Sequence, residues 1–206
     1  MTSKPLVGMA LAILTAGVVL TACGNAGNST GASPSTTTSA THAADHNQAD
    51  VTFAQQMIPH HQQALDMART VAGHTTNAKV TDLAGRIEKA QDPEIQQMTG
   101  WLNQWGAAPS TTSGMPGMGT MPGMGDGRAM PGMMSDQDMQ QLSQAKGAGF
   151  DKMWLQMMVQ HHQGAVDMAK TELAQGASAD AKTLAQKIID GQQAEITEMK
   201  GLLGQS

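Results

Sequence analysis

One segment of this chain occurs twice, and that repetition constrains its fold more than any other feature. Met57-Ile-Pro-His60-His61-Gln-Gln-Ala64-Leu-Asp66-Met67-Ala68 returns 101 positions later as Met158-Val-Gln-His161-His162-Gln-Gly-Ala165-Val-Asp167-Met168-Ala169. The register holds without a gap from Asp50/Asp151 through Phe53/Trp154, Ile87/Ile188 and Glu94/Glu195 to Met98/Met199. A self-similar stretch of this kind is one supersecondary unit made twice. Both copies should therefore adopt the same local structure and bury their apolar faces against each other.

That structure is helical by its spacing. From Asp50, which can serve as a cap, to about Ala72, two apolar stripes advance by alternating fours and threes. One carries Phe53, Met57, His60, Ala64, Met67 and Val71; beside it run Ala54, Ile58, His61, Leu65 and Ala68. This is the pattern of a core-facing helix. A second helix follows the turn Gly73–Asn77, carries Val80, Leu83, Ile87, Met98, Trp101 and Leu102, and stops at Gly106 and Pro109. The later copy predicts a helix from Asp151, a turn over Ala177–Asp180, and a last helix lined by Leu184, Ile188, Ile196 and Met199. Between the copies, Ser135 with Asp138 marks a capping box for a short helix ending near Lys146, with Gly147-Ala148-Gly149 as its break. Alternating β-branched residues are absent, so strands do not compete. The expected fold class is all-α: an antiparallel four-helix bundle of two repeated α-hairpins related by a pseudo-twofold axis. Pro59 and Pro93 interrupt the first hairpin and predict kinks there, Pro59 immediately before its histidine pair.

Outside the repeats the chain reads differently. Lys4 and the apolar run Leu6–Val19 lead into Leu20-Thr21-Ala22-Cys23, the anatomy of an export signal over residues 1–22, too short for a membrane span. The last four residues have the form of a bacterial lipobox, making Cys23 a lipidation site and the protein exported and lipid-anchored at the extracytoplasmic face. Cys23 is the single cysteine, which excludes an internal disulfide and a thiolate metal site. Residues 23–49 are rich in Ser, Thr, Ala and Gly and read as a flexible tether, in which His42 and His46 are either solvated or a metal-capture tract. Residues 50–105 form the first hairpin, 106–134 a Met/Gly/Pro-rich linker, 135–149 the short helix and turn, and 150–206 the second hairpin. The net charge of −5 becomes −6 without Lys4, and no basic patch exists, which excludes nucleic acid as a partner.

The residues that carry chemistry sit on the inward stripes. Neighbouring helix residues point about 100° apart, so His60 and His61 occupy adjacent stripes and diverge. Met57 stands one turn before them and Met67 two turns after His60; Met158, His161, His162 and Met168 repeat the arrangement. Glu94 and Glu195, with Gln91 and Gln192, place polar groups on otherwise apolar stripes, and a buried carboxylate there can accept from the far nitrogen of a ligating histidine. Imidazole with thioether suits copper: thioether favours Cu(I), and imidazole takes either oxidation state. Zinc would more often use cysteine. A di-iron bundle would carry Glu-x-x-His pairs, which neither doublet has. The linker adds Met115, Met118, Met121, Met124, Met130 and Met133 between glycines and prolines, where no core can claim them. They read as a Cu(I) trap; a sacrificial oxidation target is the competing reading.

Phe150-Asp151-x-x-Trp154-x-x-Met157-Met158-x-x-His161-His162-x-x-Ala165-x-x-Met168-Ala169 and Gln91-x-x-Glu94-Ile95-x-x-Met98-x-x-Trp101-Leu102, with the counterpart of the latter over Gln192–Leu203, resemble the domain of unknown function 305 family. The resemblance covers about Asp50–Ser206. It implies a ferritin-like helical bundle, often in exported bacterial proteins, some of whose members bind copper in the periplasm through methionines and histidines. By match, the implied ligands are His60, His61, Met57, Met67, His161, His162, Met158 and Met168. Two departures stand out: Gly164 where a bulkier residue is usual, and a longer Met-rich linker. The expectation is a cell-envelope copper-binding lipoprotein that buffers copper or passes it to another carrier, without catalytic turnover. A metal-dependent oxidase and a metal-free structural envelope protein are the alternatives.

Overall fold

The computed structural model describes residues 45–108 and 130–204. Its first helix is set by Asn47, whose side-chain oxygen accepts from the amides of Ala49 and Asp50 at 2.7 and 3.2 Å. The Asp50 carboxylate accepts in turn from the Asn47 amide, closing a capping box over donors that a helix end otherwise leaves bare. Helix α1 spans Gln48–Thr70, so Asn47 is the cap and Asp50, expected in that role, lies inside the first turn. There follow α2 (Ala78–Gln104), α3 (Asp136–Gln144), α4 (Gly147–Gln175) and α5 (Ala179–Leu203), with no strand among the described residues. The fold is all-α, as the periodicity predicts.

Asn77 and Ser178 occupy equivalent positions of the two copies, and each caps the second helix of its hairpin with its side-chain oxygen. Two boundaries differ from the sequence reading. The break before the second hairpin falls at Ala145 and Lys146, both extended, and Gly147 opens α4 from a left-handed φ of 57°. The Gly147-Ala148-Gly149 run is thus the first turn of a helix that continues through Asp151. The second turn is also shorter than expected, since α5 begins at Ala179. Both prolines lie inside unbroken helices. Pro59 has no N–H to return to the Gln55 carbonyl, and burial of its ring in the core helps hold the helix together there.

Each hairpin packs on itself, α1 with α2 and α4 with α5, and the two join chiefly through α1 against α4. These inner helices run antiparallel. Asn47, at the start of α1, donates to the Gln175 carbonyl at the end of α4, and the Trp154 indole N–H, early in α4, donates to the Met67 carbonyl, late in α1, at 2.9 Å. Between the outer helices, Arg86 of α2 pairs with Glu198 of α5 at 2.6 Å. The core holds Met57, Met67, Leu83, Ile87, Met98, Leu102, Phe150, Trp154, Met158 and Ile188, all essentially without exposure. Burying each such side chain favours folding by about 1.5–3 kcal/mol, and little of that core is aromatic.

Candidate metal centre

Because α1 and α4 cross antiparallel at equivalent positions, the residues on the pseudo-twofold axis meet their own counterparts. Those residues are His60 and His161, whose ring centroids are 3.8 Å apart at an interplanar angle of 39°. His61 and His162, one residue further on, turn away by the helical step and point into their own hairpins. The His61 Nε2 lies 2.9 Å from the Glu94 Oε2, and the His162 Nε2 lies 2.8 Å from the Glu195 Oε2. Lys187 of α5 reaches the other oxygen of Glu94 at 3.3 Å, which ties the first dyad to the opposite hairpin.

All four rings are buried, and three of them, His60, His61 and His162, hydrogen-bond through Nε2. A carboxylate only accepts, so the Nε2 facing Glu94 or Glu195 carries a proton. The His60 Nε2 donates to the Pro131 carbonyl at 3.1 Å. No hydrogen-bond partner meets Nδ1 of His60, His61, His161 or His162, nor Nε2 of His161. Burial, and then the nearby His61, push the His60 pKa down to about 3, with the Pro131 carbonyl opposing. Burial and then His60 and His162 hold His161 well below its ordinary value. Both central rings are neutral at pH 7. Close-packed buried imidazoles with unpartnered nitrogens are unusual, because most buried polar atoms in folded proteins have partners.

The methionine sulfurs are placed less uniformly. Met57 and Met158 are fully buried one turn before the histidines, Met67 is fully buried, and Met168 lies at the edge of a groove with Phe53, Glu172 and Pro131. Met130 and Met133 are half-buried at the end of the linker. Met115, Met118, Met121, Met124, Cys23 and His42 lie outside the described residues. His46, assigned to the tether, stacks on Trp105 at 4.7 Å, so the folded unit begins before Asp50. Among the described residues no three of His, Cys, Asp and Glu form a ready-made metal cluster. The imidazoles gather as pairs rather than as one cluster.

Some polar groups escaped the sequence reading. The Asp50 carboxylate accepts from the amides of Ala177 and Ser178 at 3.0 and 2.8 Å, bridging α1 to the α4–α5 turn. Burial works to raise its pKa, but the bonds from the Asn47 amide, Glu172, and the Ala177 and Ser178 amides together bring it below the usual value. Glu172 beside it is pushed up to about 8 by burial and then by Asp50, so it is a neutral acid at pH 7. The available signal was a glutamate at the repeat position that Val71 fills in the first copy. Gln91 and Gln192, noted only as polar, are buried, with both amide atoms of Gln91 and the Gln192 Oε1 unpartnered.

A family model described as a domain of unknown function (DUF305) matches residues 50–203. The chain belongs to this family. Among solved structures it resembles a DUF305 protein from Streptomyces coelicolor, described as a candidate secreted protein, with 34% identity over 79% of this chain and 95% of that one and a TM-score of 0.67. A DUF305 fragment from Deinococcus radiodurans is 32% identical over 78% and 98%, with a TM-score of 0.65. CopM in its Cu(II)-bound form is 31% identical over 76% and 96%, with a TM-score of 0.61, and CopM is also solved with Cu(I) and with silver. No curated protein matches the chain. No helix of the described residues in this DUF305 chain is long and apolar enough to cross a membrane.

Proposed function

We propose that this DUF305 chain is an exported, lipid-anchored copper carrier of the cell envelope, which buffers copper or hands it to another carrier without catalytic turnover. The observation that carries the reading is the set of four buried imidazoles, His60 packed against His161 and His61 and His162 each on a glutamate, every one with an unpartnered Nδ1. A histidine kept for stability would be hydrogen-bonded on both sides, because an unpartnered buried polar group costs about 1–3 kcal/mol. The donor set fits copper chemically. The neutral His60 and His161 rings bind without first losing a proton, carboxylates behind His61 and His162 fix their orientation, and buried thioethers favour the reduced ion. The likeness to CopM, solved with Cu(I), Cu(II) and silver, supports the same metal. In this reading Met115, Met118, Met121, Met124, Met130 and Met133 collect Cu(I) outside the bundle, and lipidated Cys23 keeps the domain at the membrane.

Anaerobic titration with Cu(I) against a competing indicator tests the proposal. The expected result is tight binding that weakens when His60, His61, His161 and His162 are all alanine, with no oxygen uptake during Cu(I) addition. Binding no tighter than that of an unrelated methionine-poor protein would overturn it.

A further inference from the structure

The end of the methionine-rich segment is seated on the bundle, directly over the central histidines. Gln63 clamps it from both sides: its Nε2 donates to the Met134 carbonyl at 2.8 Å, and its Oε1 accepts from the Met134 amide at 2.7 Å. A turn closed by the Met133 amide on the Met130 carbonyl at 3.1 Å brings Pro131 and Gly132 down onto α4. Gly132 has φ 80°, and a Cβ on it would stand 2.7 Å from the Gln160 carbonyl oxygen and 2.9 Å from that of His161. A Cβ at Gly164 would stand 1.9 Å from the Pro131 carbonyl oxygen. Backbone therefore meets backbone, which only two glycines allow.

This seat is where the repeat is broken. Gly164 replaces the glutamine that the first copy has at position 63, and that glutamine is itself the clamp. One departure from symmetry thus makes both halves of a single latch. Its product is the Pro131 carbonyl at 3.1 Å from the His60 Nε2. His60 receives from backbone what His61 and His162 receive from Glu94 and Glu195.

We propose that Gly164, Gly132 and Gln63 are positioning residues: they seat Met130–Met134 so that the Pro131 carbonyl holds His60 with Nε2 protonated and Nδ1 as its ligating atom. The role in metal binding rests on the copper reading above; the control of the ring does not. Because the carbonyl belongs to the methionine-rich segment, whatever moves that segment also releases His60. His161, with both nitrogens bare, is left as the ring free to adjust to the ion.

The test uses the full chain, metal-free and labelled at histidine nitrogen, in long-range proton–nitrogen spectra. The parent should show His60 as the Nε2–H tautomer and a protected Met134 amide. Gly164→Ala, in a helix where alanine is favoured over glycine, should keep the helical content while mixing the His60 tautomers, speeding Met134 exchange at least tenfold, and weakening Cu(I) binding by about tenfold, as loss of a supporting hydrogen bond does. Gln63→Ala removes the clamp without any clash and should move the same signals if Gly164→Ala fails to fold. An unchanged His60 tautomer in the folded variants, or an Nδ1–H tautomer in the parent, overturns the proposal. A tautomer that responds in a chain that binds no copper upholds the latch and overturns the copper reading alone.

Discussion

Replacing His161 by leucine should make the metal-free protein more stable, an unusual outcome for a fully buried residue at the centre of a core. The ring is 1% exposed and neither nitrogen has a hydrogen-bond partner. A neutral imidazole holds one donor and one acceptor, and at about 1–3 kcal/mol for each buried unpartnered group the two together cost about 2–6 kcal/mol. Against this stand the lost ring contact with His60, about 0.5–1.5 kcal/mol, and the imperfect fit of a new shape, up to about 1.5 kcal/mol. The balance is a gain of about 2 kcal/mol, or roughly 4–8 °C in Tm for a domain of this size. His61→Leu is the internal contrast, because it strips the Glu94 carboxylate of its imidazole. Leaving the buried carboxylate without its imidazole donor costs about 1–3 kcal/mol, and Lys187 on the other Glu94 oxygen holds the loss to the lower end. Urea unfolding of chelator-stripped protein measures both, as a midpoint that rises for His161→Leu and falls for His61→Leu at unchanged slope. A loss of more than about 1 kcal/mol for His161→Leu would refute the reasoning, since it would mean that the ring is held by interactions worth more than its desolvation.

Glu94→Gln with Glu195→Gln keeps an acceptor for each Nε2–H but removes the charge that strengthens the ligand, so copper affinity by indicator competition should fall about 10–100-fold while circular dichroism stays the same. Stability against pH, followed by urea unfolding of metal-free protein, should be highest between the two shifted groups. Glu172 keeps its proton to about pH 8 when folded but only to its ordinary 4.5 when unfolded, so its contribution is lost as pH rises through that window, and Glu172→Gln should flatten the alkaline side. His60, neutral down to about pH 3 when folded but titrating at 6.5 when unfolded, makes the protein lose stability as pH falls through the lower window.

Much of this arrangement is legible in the sequence because it is local. Helical spacing places His60 and His61 on adjacent stripes, and the repeat places His161 and His162 likewise, whatever the hairpins do next. Glu94 follows His61 by the same interval that separates Glu195 from His162, so a contact formed once within a hairpin recurs in the other. The cap of α1 was misread because Asn47 and Asp50 both suit that position. The choice between them depends on Asp50 being drawn to the Ala177 and Ser178 amides, which belong to the other hairpin. Glu172 escaped for the same reason. Its raised pKa comes from burial in the assembled bundle and then from Asp50, far away along the chain.

By itself, then, the sequence determined the helices, their pairing into two like hairpins, and the inward surface that carries histidine and methionine. Periodicity and repetition are properties of near neighbours, and they survive without a partner. Only the tertiary structure decided which histidines face each other, because the antiparallel crossing of α1 and α4 puts His60 against His161 and sends the other two to their glutamates. It also decided what Gly164 is for. The missing side chain looked like a departure from the repeat, and it is the space through which the Pro131 carbonyl reaches His60.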